Sequence, residues 1–232
     1  MSGRITCAST TTRVDKVFLG HYATGLAAKK ISPKTPLPLL LLAAQFIDHL
    51  WPLFVLAGIE RVAIVPGITA FTPLDFSYYP WTHSLLGAVA WGFLFGAAVF
   101  LFRKDRREAM VLGALVTGHW LLDLISHRPD LPVLPGVDMV VGLGLWDSVA
   151  GTIVVELSIF AAGIALYLRA APLTSRRSQI VFWSLIAFLC VSYAANVFGP
   201  PPPSVEMIGV AGNALWLVIL WAWWVERGKE RE

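Results

Sequence analysis

All five histidines of this 232-residue chain, His21, His49, His83, His119 and His127, fall in its first 127 residues, where they share hydrophobic sequence with Asp48 and Asp123. In a membrane-spanning helix an ionisable side chain costs about 2.5–3.5 kcal/mol on insertion scales, so a cluster of them marks a functional site. Neutral imidazoles combined with carboxylates are the donor set of Zn²⁺ or a similar divalent ion. The chemistry to look for is therefore a metal centre inside a helical bundle.

The most specific string, GHWLLDLISHRPDLP, spaces His119, Asp123 and His127 at successive i, i+4 positions. On a helix these side chains drift by only about 80° in total and form one polar stripe. His119 and Asp123 stand about 6 Å apart along the axis and His119 and His127 about 12 Å, so one ion cannot readily take all three. Either His127 serves a second ion, about 3.5–4 Å from the first in two-metal sites, or it is an outer-sphere or acid-base group. His49 points about 100° away from Asp48 on a helix, so Asp48 leads and His49 is read as structural. Ser84 is read as a hydroxyl at a helix start. Glu156, inside GTIVVELSIF, is a buried carboxylate that can be a ligand, a base or a charge partner. Arg128 either pairs with Asp130 or holds an anionic phosphate or carboxylate. Asn196 and Asn213 are read as hydrogen-bonding glue between helices.

The elements that must position these residues are membrane spans. The chain is 56% hydrophobic and 14% charged, against roughly 25% charged in soluble domains. Its apolar runs are too long for barrel strands, which predicts an all-α, polytopic transmembrane helical bundle. Six long spans are expected near 37–59, 83–102, 108–127, 148–168, 178–198 and 205–225, with a kink at Pro52 in the first. A short helix over 17–31 is expected to cross as a seventh, because only then does His21 reach the level of the other candidates. The domain plan is a polar tail over 1–16, one transmembrane domain over 17–226 (metal-site half 17–160, C-terminal helices 161–226) and a cytoplasmic tail over 227–232.

The net charge of +3 comes from short basic clusters between apolar runs, which argues against nucleic acid. Lys29, Lys30 and Lys34, the 103–107 cluster, Arg169, Arg176 and Arg177, and Arg227, Lys229 and Arg231 fall on alternate connections. The positive-inside rule then puts these connections and the C-terminus in the cytoplasm, with the histidine-bearing level toward the outer face. The loops on that face are rich in Pro, Gly and aromatics and are expected to form a lid. The GPPPPS stretch breaks the helix before the last span, and Trp221, Trp223 and Trp224 in that span read as an interfacial belt. Cys7 and Cys190 form no framework or metal motif. Residues 1–16 lack the apolar region of a secretory signal, so insertion is expected to use the spans. No inverted repeat of transporter type is visible.

Taken together, GHYATG, AAQFIDHLWP, YPWTHSLL and HWLLDLISHRPDLP resemble the bacterial family of membrane-bound metal-dependent hydrolases over roughly residues 17–160, and more distantly the metal motif of zinc-dependent phospholipase C. The resemblance implies His21, Asp48, His83, His119 and Asp123 as ligands and a place in the bacterial inner membrane. The Tyr78, Tyr79, Pro80, Trp81 approach and the HRPDLP extension do not match the family pattern. The expectation is one or two divalent ions, Zn²⁺ by donor type, activating water toward an ester or phosphoester of a lipid-like substrate. Asp123, His127 or Glu156 would take the proton, and Arg128 would position an anionic group. The competing readings are a permease that uses the stripe as a proton or metal-ion relay, and a structural metal site.

Overall fold

The computed structural model describes residues 19–227; the polar tail over 1–16, Cys7, and Lys229 and Arg231 lie outside the described residues. The chain folds as an all-α helical bundle. In order, the helices are α1 (Leu19–Ala28), α2 (Leu37–Ala44), α3 (Phe46–Leu56), α4 (Pro80–His83), α5 (Leu85–Arg103), α6 (Arg106–Ser126), α7 (Val149–Ala170), α8 (Arg176–Phe198), α9 (Val205–Gly212) and α10 (Leu215–Arg227). Five candidate spans are long and apolar enough to cross a membrane, the last combining α9 and α10, and the bent α2–α3 pair makes a sixth. Their outer faces carry large apolar side chains such as Phe93 and Val191, the expected state of helices solvated by lipid.

Side-chain caps set where the long helices begin. Ser84, Asp105, Ser148, Ser175 and Ser204 each accept a hydrogen bond from the backbone N–H three residues on, which satisfies one of the donors a helix start leaves open. Ser84 is thus the cap of α5.

Two expectations are corrected, on the bend of the first span and on Asn213. The bend of the first span is not at Pro52 but at Gln45, whose φ of −109° and ψ of 9° interrupt the helix; α2 and α3 meet there at 55°. Pro52 sits inside α3, where its missing N–H leaves the carbonyl of Asp48 without its helical donor. The N-terminal helix α1 has 10 residues, about 15 Å of rise, half of a hydrocarbon core. Over the described residues it runs from the level of the candidate site to the basic end. Asn213 bonds within its own helix, Nδ2 donating to the Gly209 carbonyl at 2.8 Å where α9 gives way to α10.

Packing places α1 and α2 inside the bundle. α1 lies along α7, where Gly163 lets the backbones meet: a Cβ there would stand 2.6 Å from the Ala23 carbonyl oxygen. At the basic end Glu226 of α10 clasps the α1–α2 connection, its Oε1 accepting from Lys29 Nζ and from the backbone N–H of Leu37, both at 3.0 Å. The opposite end is closed by an antiparallel hairpin of β1 (Arg61–Ile64) and β2 (Leu74–Tyr78) and by a second short pairing of β3 (Leu131–Pro132) with β4 (Val140–Val141). The Phe71 N–H donates to the Trp146 carbonyl at 2.9 Å and ties the two loops together.

Candidate metal centre

α6 supplies two of the site's side chains from adjacent turns. His119 and Asp123 are both buried. The break at Gln45 leaves the last carbonyls of α2 without helical donors, and His119 Nδ1 lies 2.9 Å from the carbonyl oxygen of Ala44. A carbonyl only accepts, so Nδ1 carries a proton, which leaves Nε2 as the atom that a neutral ring would present as a lone pair to the interior. That Nε2 is 3.3 Å from Asp123 Oδ2. Both atoms are fully buried, and neither has a hydrogen-bond partner among the described residues. Two acceptors facing each other in a dry interior require a cation or a proton between them.

A second imidazole is oriented in the same sense. Glu60, buried at the start of α4, accepts the backbone N–H groups of Trp81 and Thr82 on Oε1, at 2.9 and 2.8 Å, and the Thr82 hydroxyl on Oε2 at 2.6 Å. Having donated its one proton to Glu60, the hydroxyl accepts from His83 Nδ1, 2.7 Å away. His83 Nε2 is left as a lone pair, 3.4 Å from Asp48 Oδ1 and 3.9 Å from Asp123 Oδ2. Asp48 Oδ1 also lies 3.7 Å from His119 Nε2.

These separations of 3.3–3.9 Å suit coordination of one ion. Donors about 2.0–2.1 Å from a tetrahedral centre stand about 3.3–3.4 Å apart. Two overlapping groups, His21–Asp48–His119 and His83–His119–Asp123, have donor atoms close enough to hold a metal, and His119 belongs to both. Two carboxylates among neutral imidazoles carry a charge that a divalent cation would cancel in a low-dielectric interior.

His21 opens α1 and stacks on His119 with ring centroids 3.7 Å apart. Its Nε2 is 3.4 Å from both Asp123 Oδ1 and the His119 carbonyl, and its Nδ1 is buried with no hydrogen-bond partner among the described residues. Glu156 of α7 is not among these donors. Its Oε2 accepts the N–H groups of Leu19 and Gly20 at 2.9 Å each, so it caps α1 and holds the backbone just before His21. Through Oε2 Glu156 therefore anchors α1.

His127 lies just past the end of α6 and lines a cavity with Asp48, His83, Asp123, Trp51, Phe76 and Trp146. The cavity's volume of about 20 Å³ admits a single water. The His127 ring is set from behind, with Nδ1 3.0 Å from Asp130 Oδ1 and 3.2 Å from the Tyr79 hydroxyl. Burial first, and the Asp130 carboxylate second, push the Tyr79 phenol well above its ordinary pKa, so it stays protonated. Arg128 pairs with Asp130 at 2.8 Å and with Asp75 of β2 at 2.6 Å. These pairs tie β2 to the His127 loop.

His49, adjacent to Asp48, points elsewhere: Nδ1 bonds the Gln45 carbonyl at 2.8 Å and the ring packs edge-on against Trp216. Sequence reasoning missed Glu60, Thr82 and Asp130. Glu60 stands 23 positions before His83, but Thr82, the immediate neighbour of His83, and the acid three residues after His127 could have been weighed as orienters. The chain matches no family model, no curated protein and no solved structure.

Proposed function

We propose that the chain is a membrane-embedded, Zn²⁺-dependent hydrolase of the bacterial inner membrane that cleaves an ester or phosphoester of a lipid-like substrate near the outer face. The observation that carries this reading is the one-water cavity bounded on one side by Asp48, His83 and Asp123 and on the other by His127. A divalent ion held by His21, Asp48, His83, His119 and Asp123 would bring the pKa of water toward about 7 and polarise a carbonyl or phosphoryl oxygen. His127 accepts the proton of the attacking water and returns it to the leaving group, with Asp130 holding its orientation. Trp51, Phe76 and Trp146 supply the aromatic part of the cavity wall. The sequence resemblance to membrane-bound metal-dependent hydrolases points the same way.

The relay reading draws less support. Along α6 from His119 toward the basic end, the next inward positions are the fully buried Val116 and Leu112, and then Glu108, which pairs with Arg103 at 2.6 Å. The polar stripe therefore stops at His119.

The test is metal analysis beside hydrolysis of ester and phosphoester lipids by purified wild type, His119→Ala, Asp123→Ala and His127→Gln. The expected pattern is metal loss in the first two variants, and retained metal with lost hydrolysis in the third. Stoichiometric metal in both His119→Ala and Asp123→Ala would refute the metal centre; unchanged hydrolysis after metal loss would refute its catalytic role.

A further inference from the structure

α5 and α6 cross at unusually close range because small residues face one another. A Cβ on Gly96 would stand 2.8 Å from the Ala109 carbonyl oxygen, and one on Gly113 the same distance from that of Gly92. Gly92 and Gly96, four residues apart, form the small-residue pattern that lets membrane helices touch backbone to backbone. The side chains flanking this seam are large and point outward: Phe93, Phe100, Met110 and Leu121 are all exposed. Between a floor of glycines and a rim of bulky residues runs a trough of about 750 Å³ on the outside of the bundle, within the size range of ligand-binding pockets. Its wall is apolar but for Thr117 and, near the α5–α6 connection, Arg106.

We propose that this trough binds one anionic phospholipid, an acyl chain lying along the Gly92–Gly113 seam and the headgroup phosphate paired with Arg106. Charge selects this occupant. The α5–α6 connection carries Arg103, Lys104, Arg106 and Arg107 against Asp105 and Glu108, and Glu108 is already engaged by Arg103. A surplus of positive charge faces the headgroup layer, where each basic residue near an anionic membrane surface contributes to lipid attraction. A second copy docked on the same face in the same membrane orientation would set two such basic clusters at one level, which like-charge repulsion disfavours. The trough is separate from the candidate metal centre: Thr117, Gly118 and Leu121 line it from the face of α6 opposite to that of Asp123, and none of the five ligand candidates borders it.

The probe is a vesicle of equal parts phosphatidylglycerol and phosphatidylcholine into which the full chain is reconstituted, followed by gentle detergent extraction and native mass spectrometry of the retained lipid. Wild type is expected to keep one phosphatidylglycerol, enriched about fivefold or more over phosphatidylcholine by the charge of Arg106 alone. Gly118→Leu, at a position with open space around its Cβ, and Ala114→Leu fill the trough and are expected to abolish retention. Arg106→Gln is expected to keep a lipid but lose the preference for the anionic one. Equal retention by wild type and both filled variants overturns the proposal, as does equal retention of the two lipids by wild type. A lipid-free dimer that the filled variants disperse overturns it in favour of a second copy.

Discussion

Replacing Thr82 by Val keeps the shape of the side chain and removes the hydroxyl, which isolates the relay from Glu60 to His83. In the native chain that oxygen donates to Glu60 Oε2 at 2.6 Å and accepts from His83 Nδ1 at 2.7 Å. Glu60 keeps two backbone donors on Oε1 after the change, so the loss is one charge-assisted bond and the bond from His83 Nδ1, together about 2–4 kcal/mol of stability. The larger consequence is functional. With nothing to hold its Nδ1 proton, His83 no longer presents Nε2 by default, and removal of such outer-sphere partners lowers metal affinity by about 10–100-fold. Glu60→Gln tests the direction of the relay. With its carbonyl oxygen kept on the two backbone donors, the new amide donates to the Thr82 hydroxyl, which then turns its own proton on His83 Nδ1 and forces the tautomer that blocks Nε2. The assay is competition for Zn²⁺ between the purified protein and a chromogenic chelator, with thermal unfolding followed in parallel. Thr82→Ser should bind like wild type, Thr82→Val 10–100-fold more weakly, and Glu60→Gln more weakly still. Wild-type affinity in both Thr82→Val and Glu60→Gln would refute the reasoning.

Glu156→Ala removes the acceptor of two backbone N–H groups ahead of His21 and is expected to lower metal affinity about tenfold, whereas Glu156→Gln, which retains an acceptor oxygen, should recover most of it; equal affinity in the alanine variant would remove the anchoring role. Gly163→Leu drives a side chain into the Ala23 backbone, 2.6 Å from the new Cβ, and should cost about 1–3 kcal/mol or more, read as a fall in unfolding temperature. Arg128→Gln breaks two ion pairs at a half-exposed position; it should change stability by less than about 1 kcal/mol per pair and leave metal content intact, whichever lipid is offered. Metal loss in that variant would place Arg128 closer to the centre than its contacts imply.

Periodicity and hydropathy revealed the long spans because lipid solvation writes itself on nearly every residue of a helix such as α5. The spacing of His119 and Asp123 was legible for the same reason: an i, i+4 step is a local property of α6. His21 could be grouped with them only by a topological argument. What brings it there is the first described turn of α1, held by Glu156 in a contact spanning 137 positions in sequence. The bend at Gln45 escaped notice because no proline or glycine marks it, while Pro52, which looks like a kink, is accommodated within α3. The orientation of His83 depends on Glu60, 23 positions upstream and beyond a hairpin, so no window of helical or strand pattern contains both.

The clasp between Glu226 and the α1–α2 connection has a consequence for biogenesis. Lys29 and Glu226 are 197 residues apart, so the ribosome makes the N-terminal half of the pair about 10–40 s before its partner at usual elongation rates. Throughout that interval the α1–α2 hairpin, which carries His21 and leads into Asp48, lacks the carboxylate that receives Lys29 Nζ and the Leu37 N–H. The imidazoles can thus enter the membrane before their final geometry is locked, and closure of the basic end waits for α10 to arrive.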